Sequence, residues 1–330
     1  MNRAIAAALG AANARPVLVD IGASGAPPVV WEPLARHAIY VGFDPDRREL
    51  YDVPDGRYAR SIIVNEAVTS APGGEDVRFF LTRSPYCSST LPPDERSLSD
   101  YLFADLFAVE REAVVPATTL SATLARLDLP SVDWLKTDSQ GTDLRLFQSL
   151  TPEQRDGVLA LDIEPGVIDA YQGEDLFVDA HRELTRQGFW LASLDVKGSV
   201  RMKRTTVQIA ARQHPRLNAA RVAAVVAPSP GWCEASYLRS LQSLAERQAE
   251  QRDYVLLWAF ALVKRQLGFA LDLALEYAGL FGAGELSALL WDAPLRELRR
   301  PSLKSVWRSG RHALGVARRL LLPARARGVR

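Results

Sequence analysis

The chain has 330 residues, 48% of them hydrophobic and 24% charged, enough to bury one large core and a second small one. Forty Lys and Arg against 39 Asp and Glu nearly cancel, which excludes the overall basic signature of a nucleic-acid binder. Cys87 and Cys233 stand too far apart for a disulfide framework or a zinc site and fit a reducing cytosol, and His37, His181, His214 and His312 show no metal-ligand spacing.

Residues 1–14 loosely imitate a signal peptide, but the apolar run is short and poor in Leu, so it reads as a helix leading into the first strand. Strands are predicted at about 17–21, 39–43, 61–65, 131–137, 157–163, 188–195 and 204–211, with helices at about 142–150 and 174–187. Alternation of strands and helices, with Gly or Asp at the strand ends, implies α/β architecture around a doubly wound parallel sheet. Segments 188–194 and 205–211 read as a terminal hairpin with an antiparallel last strand. An extra strand is expected at 76–82, and residues 83–99 form a long loop rich in Ser and Pro, of the kind that is usually functional.

After Pro215 the pattern turns helical, at about 217–226, 232–267, 269–280 and 284–290. The change predicts a boundary, with residues 1–215 as the cofactor-binding domain and 216–330 as an all-helical C-terminal region ending in a basic tail. The ten apolar residues 254–263 are too few to span a membrane and read as a buried helix. From Arg296 onward there are 11 Lys or Arg and one acid, Glu297, and in segment 302–322 apolar residues recur at helical spacing with basic ones beside them. That pattern suits peripheral contact with an anionic membrane; the other reading packs the stripe on the helical region or on a second subunit, which leaves homo-oligomerisation open.

Chemistry concentrates near the start. Val17-Leu18-Val19-Asp20-Ile21-Gly22-Ala23-Ser24-Gly25 is an apolar strand opening into a glycine turn, and Ile39-Tyr40-Val41-Gly42-Phe43-Asp44 ends a second strand on a carboxylate able to accept both ribose hydroxyls. A dinucleotide loop needs three glycines, yet the second and third positions counted from Gly22 are Ser24 and Pro27. The loop therefore suits a cofactor without phosphates, such as S-adenosylmethionine, with a purely structural turn as its rival. Gly25 is expected to sit where a branched side chain would block the ligand.

Asp133-Trp134-Leu135-Lys136-Thr137-Asp138-Ser139-Gln140-Gly141-Thr142-Asp143-Leu144 resembles a segment typical of the FkbM family of S-adenosylmethionine-dependent methyltransferases. Further matches, in the family's order over about residues 15–212, are Val64-Asn65-Glu66-Ala67-Val68, Ser88-Ser89-Thr90-Leu91, Val115-Pro116-Ala117-Thr118-Thr119-Leu120, Leu161-Asp162-Ile163-Glu164 and Tyr171-Gln172-Gly173. Ser139 and Thr142-Asp143 depart from the family's usual residues. The resemblance implies a class I methyltransferase fold, Rossmann-like with an antiparallel terminal hairpin, and methyl transfer to a hydroxyl of a sugar, glycan or small natural product.

Ligands of doubly wound sheets sit at the carboxyl ends of the strands. That rule puts loop 22–25 under the methionine part of the cofactor, Asp44 on its ribose, and Asn65, Glu66 and Ala67 near its adenine; Asp20 orients the loop or meets the ammonium through water. Asp138 and Glu164 should face each other, one acting as general base toward the acceptor hydroxyl. A divalent ion held by these two acids is the other version, permitted but not expected. Lys136 shares a strand face with Asp138 and is expected to hold it, Ser88 and Ser89 are candidates for the acceptor pocket, and Tyr171 and Trp190 read as core or pocket wall. The rival functions are a noncatalytic Rossmann-like scaffold and a nicotinamide-dependent oxidoreductase. The expected location is the cytoplasm, with the inner membrane surface as the place implied by the membrane reading of the tail.

Overall fold

A computed structural model describes residues 1–46, 56–71 and 76–300. The amphipathic pattern at 302–322 lies outside the described residues. The strands in chain order are β1 (Val17–Ile21), β2 (Ile39–Phe43), β3 (Arg60–Val64), β4 (Ala67–Val68), β5 (Val77–Thr82), β6 (Val109–Val115), β7 (Ala117–Thr118), β8 (Trp134–Thr137), β9 (Ala160–Ile163), β10 (Phe189–Ser199) and β11 (Ser229–Arg239). Seven of them form one sheet in the order β10-β11-β9-β8-β1-β2-β3, while β4 pairs with β7 and β5 with β6. β1 lies parallel to β2 and β8, β2 to β3 and β8 to β9; β11 alone runs antiparallel to both its neighbours, β9 and β10. The protein is thus α/β with a mostly parallel central sheet.

All five residues of β1 are buried, as a central parallel strand covered on both faces requires. On one face Val19, Leu135 and Leu161 cluster with Leu120, Phe147 and Leu184 of helices Leu120–Arg126, Asp143–Gln148 and Phe177–Arg186. On the other, Leu18 and Trp134 cluster with Ile5 of helix Asn2–Ala11, with Trp31, and with the unbroken buried run 254–262 of helix Gln251–Val263. Helices Leu267–Phe281 and Glu285–Arg299 pack against that helix in turn, so it is surrounded and can be apolar all round. Among the described residues no helix is long and apolar enough to cross a membrane.

Two expectations need correction. Residues 204–211 are not the last strand: they belong to helix Arg204–Gln213, and the antiparallel strand is β11, within a stretch that reads as helical from its sequence. The β-branched run Thr205-Thr206-Val207 suggests a strand, yet Val207 is the only buried residue of that helix, and a strand wedged between β9 and β10 must bury side chains on both faces. Ala235 and Tyr237 do so toward one core and Leu238 toward the other. The boundary at residue 215 consequently falls inside an insertion between β10 and β11, and the region 216–330 is neither all-helical nor separate, since it supplies a sheet strand and one cover of the sheet. The spacer between β1 and β2 holds two 3-10 turns, Val29–Trp31 and Ala35–His37.

One buried ion pair joins the two ends of this arrangement. Asp133, ahead of β8, is fully buried; it accepts the Val17 backbone N–H at 2.7 Å and both terminal guanidinium nitrogens of Arg252 at 2.8 and 2.7 Å. Replacing Arg252 by Ala leaves a buried carboxylate without its counter-charge and should cost about 3 kcal/mol in urea unfolding. A loss under about 1 kcal/mol, the size of an exposed pair, would show that helix Gln251–Val263 is not tied to β1 in this way.

Candidate functional site

The order of the sheet reverses between β1 and β8, and the loops leaving the carboxyl ends of these strands open into a cavity of about 940 Å³. After β1, the backbone N–H groups of Gly22 and Ala23 both donate to the Phe43 carbonyl, at 3.0 and 2.9 Å, which pins the loop onto the end of β2. Gly22 has φ +79°, and a Cβ there would run into the backbone carbonyl of Asp138. Gly25, with φ +78°, has no protein atom within 4 Å of where its Cβ would be. Gly22 is thus required by its contact with the end of β8, whereas the space beside Gly25 is open to a ligand.

Gly22, Ser24, Asp44, Asp138 and Glu164 all line the cavity. Asp44 is buried, and its Oδ1 accepts the Asp46 N–H at 2.7 Å. The three residues expected near an adenine are placed otherwise. Asn65 donates through Nδ2 to the Asp44 carbonyl at 2.7 Å and so braces the end of β2; Glu66 turns to Arg126 at 2.5 Å; Ala67 pairs with Ala117 in the β4–β7 ladder. None of the three lines the cavity.

Lys136 also differs from expectation. Its ammonium donates to Asp20 at 2.8 Å, because the register sets Lys136 directly beside Asp20 on β1, whereas Asp138 lies beyond the strand. Asp20, 3% exposed and also facing the Tyr40 hydroxyl at 3.4 Å, is thereby neutralised inside the sheet. Neither residue lines the cavity.

Asp138 is held by Gln140 instead. Gln140 Nε2 donates to Asp138 Oδ1 at 2.5 Å, and its Oε1 lies 3.0 Å from the hydroxyl of Tyr171, which is also 2.9 Å from the Cys87 carbonyl. The Gln140 backbone stands in the left-handed region at φ +54° and is fixed from behind by Ser89, whose buried hydroxyl donates to the Gln140 carbonyl at 2.7 Å. Ser89 is thus a brace and not a lining residue. Ser88 does line the cavity, with its Oγ accepting from Thr82 N–H at 3.1 Å. Tyr171 is buried wall, as expected, and Trp190 belongs to the core, edge-on to Phe269.

Ser139, Thr142 and Asp143 hold one another in place. Asp143 is buried and accepts Ser139 N–H at 2.9 Å, Ser139 Oγ–H at 2.5 Å and Glu164 N–H at 2.9 Å, while Thr142 Oγ1 donates to Ser139 Oγ at 2.8 Å. Asp143 thereby ties the ends of β8 and β9 together, and burial pushes its carboxyl up to about 6. Glu164 is affected more. Burial first, then the negative charge of Asp138, push its carboxyl up to about 8, against the opposing pull of Lys136.

The cavity is also lined by the apolar side chains of Phe79, Leu81, Phe103, Phe107 and Trp232, with Arg83, Glu110 and Arg111 among them. Phe103 and Trp232 lie nearly parallel, at 18° with centroids 6.3 Å apart. Among the described residues no group of three or more His, Cys, Asp and Glu is placed to hold a metal ion. No protein-family model and no curated protein matches the chain.

Sequence reasoning misses Gln140 as the partner of Asp138, although its place two residues on, before Gly141, is a signal for a turn that folds back. The contrast between the two loop glycines is testable by unfolding. Gly25→Ala should lose about 1 kcal/mol from its left-handed φ alone, whereas Gly22→Ala must in addition displace the end of β8 and should lose at least about 2 kcal/mol. Equal losses would contradict the close approach of Gly22 to Asp138.

Proposed function

We propose that this chain is an S-adenosylmethionine-dependent O-methyltransferase acting on a hydroxyl of a sugar, glycan or small natural product. The observation that carries the reading is the meeting, in one cavity at the point where the strand order reverses, of the loop at Gly22 and Ser24, the buried Asp44, and the pair Asp138 and Glu164. An antiparallel strand near the end of the sheet, which the FkbM resemblance implies, also supports it, although β11 supplies it from later in the chain.

The β1–β2 connection argues against the nicotinamide alternative. A dinucleotide pyrophosphate is met by a helix N-terminus directly after the first glycine loop. Here Pro27 and Pro28 follow the loop and the spacer holds only 3-10 turns.

When bound, S-adenosylmethionine supplies an electrophilic methyl group on a sulfonium. In this reading loop 22–25 carries the methionine part and Asp44 accepts the ribose hydroxyls. Glu164, in the charged form it holds above about 8, would take the acceptor's hydroxyl proton, and its raised pKa makes it a stronger base than an ordinary carboxylate. Asp138, aimed by Gln140, holds the acceptor oxygen in line. Asp138 and Glu164 are also the two acids available to a divalent ion, but one oxygen of Asp138 is occupied by the Gln140 amide, and proton transfer needs no third ligand. Phe103 and Trp232 give the acceptor an apolar wall.

Thermal shift separates the readings, because a ligand that binds only the native state raises its midpoint. S-adenosylmethionine and S-adenosylhomocysteine should raise it and NAD should not; a shift with NAD alone, or with none of the three, would overturn the proposal. In calorimetry Asp44→Ala should weaken both adenosyl ligands by about 1–3 kcal/mol through lost charge-assisted hydrogen bonds.

The sign of a pH effect follows from Glu164. Below about 8 its carboxyl is neutral, and above it carries a negative charge into the cavity. Affinity for the sulfonium should therefore rise by about tenfold as pH passes through that value, while affinity for the uncharged thioether of S-adenosylhomocysteine changes little. Glu164→Gln should flatten the difference. The same ratio of affinities at every pH in the parent protein would remove Glu164 from the neighbourhood of the sulfonium.

A further inference from the structure

Between β10 and β11 the chain leaves the sheet for residues 200–228, which carry Arg201, Lys203, Arg204, Arg212, Arg216 and Arg221 and no Asp or Glu. Strand direction fixes where this insertion emerges. β10 and β9 are both antiparallel to β11, so β10 ends, and β11 begins, at the same carboxyl edge that holds the cavity. Three of the cations fasten the insertion there: Arg201 and Lys203 to Asp100 at 2.5 and 3.3 Å, and Arg204 to Asp105. Val200, Val207 and Val222 are buried with Leu102 and Met202 against them, and the adjoining Phe103 and Leu106 line the cavity.

The other three cations, Arg212, Arg216 and Arg221, are exposed and have no carboxylate of the described residues within ion-pair distance. Exposed aliphatic residues lie among them. Helix Arg204–Gln213 turns Val207 inward, which sends Ile209, 56% exposed, and Arg212 outward, three residues apart on one side. In helix Ala219–Val225 the inward residue is Val222, and Arg221 and Val225, also 56% exposed, stand four apart.

We infer that this insertion docks the protein onto an anionic lipid bilayer, its arginines on the headgroup phosphates and Ile209, Val225 and Val226 in the acyl boundary. A bilayer interface satisfies both kinds of side chain, because long cationic side chains reach the phosphates while aliphatic ones leave water. A nucleic acid would satisfy the cations and leave the aliphatic residues solvated. Docked this way, the wall made by Phe103 and Leu106 stands beside the membrane, and an acceptor held at the lipid surface has a short path to the cavity. The inference rests on the insertion alone and holds whether or not the chain transfers methyl groups.

Flotation of the full chain with phosphatidylcholine vesicles, with and without phosphatidylglycerol, tests it. The parent protein should float with the anionic vesicles, detach at high salt and ignore the neutral ones. The triple variant Arg212→Glu, Arg216→Glu, Arg221→Glu should partition about tenfold less or weaker still, given three reversed charges at the surface. A control triple on other exposed arginines, Arg3→Glu, Arg36→Glu, Arg60→Glu, should float like the parent. The basic residues from Arg296 onward are common to all these proteins, so their contribution cancels in the comparison. Should the insertion triple unfold, Ile209→Asp with Val225→Asp carries the test, with the same loss expected. No flotation by the parent at low salt, equal flotation of parent and insertion variants, equal loss in the control triple, or tighter binding to duplex DNA than to anionic vesicles at one salt concentration would each overturn the inference.

Discussion

A parallel sheet buried on both faces must find two apolar covers, and in this chain one of them comes from the far end of the sequence. Helix Gln251–Val263 closes the face that carries Leu18, Trp134 and Leu238. That face also carries carboxylates, which apolar cover alone would leave stranded. Register lines up Asp20, Lys136 and Asp162 across β1, β8 and β9. Asp20 is answered within the sheet by Lys136, but Asp162 is answered by Lys264, at 2.7 and 2.9 Å, and Asp133 by Arg252. Helix Gln251–Val263, with Lys264 at its end, thus brings apolar surface and two counter-charges together, and the sheet is complete only when it has docked.

This dependence explains what could be read from the sequence and what could not. β1, β2, β8 and β9 announce themselves, since each is a short apolar run ending in Gly, Asp or Glu, and those endings put Asp44, Asp138 and Glu164 on one edge without any knowledge of tertiary contacts. β11 is hidden because its identity depends on its neighbours. Ala235, Ser236, Tyr237 and Leu238 are almost continuously buried, a pattern that a buried helix shares, and only the gap between β9 and β10 selects the extended form. The converse holds for 204–211, where β-branched residues favour a strand locally but no sheet position is left to accept it.

Partner choice at the site was not legible in the sequence, because the cross-strand register and long-range contacts decide it. Lys136 and Asp138 share a strand face, yet the nearer neighbour across the ladder is Asp20, and the ion pair forms there. Asp138 then takes its positioning from Gln140, which depends on a left-handed residue clamped by Ser89 and Tyr171, side chains 51 and 31 residues away in sequence. Asn65 and Glu66 stand at the correct strand end, where they bond the Asp44 carbonyl and Arg126, contacts that no motif announces.

The cavity divides along the same line. Its polar half sits on strand ends, where ladder hydrogen bonds leave little freedom, and those positions came directly from the motifs. Its apolar half is assembled from additions to the sheet: Phe79 and Leu81 on β5, Phe103 and Phe107 between β5 and β6, and Trp232 on β11. Trp232 reaches this edge only because β11 is antiparallel, so that the start of the strand, rather than its end, lies beside Glu164 and Asp138. The reversal that hides β11 from sequence reading is therefore also what gives the site its aromatic wall and the insertion its place at the mouth. Rigid strand ends fix the chemistry, and the segments hung on the carboxyl edge decide what can approach it.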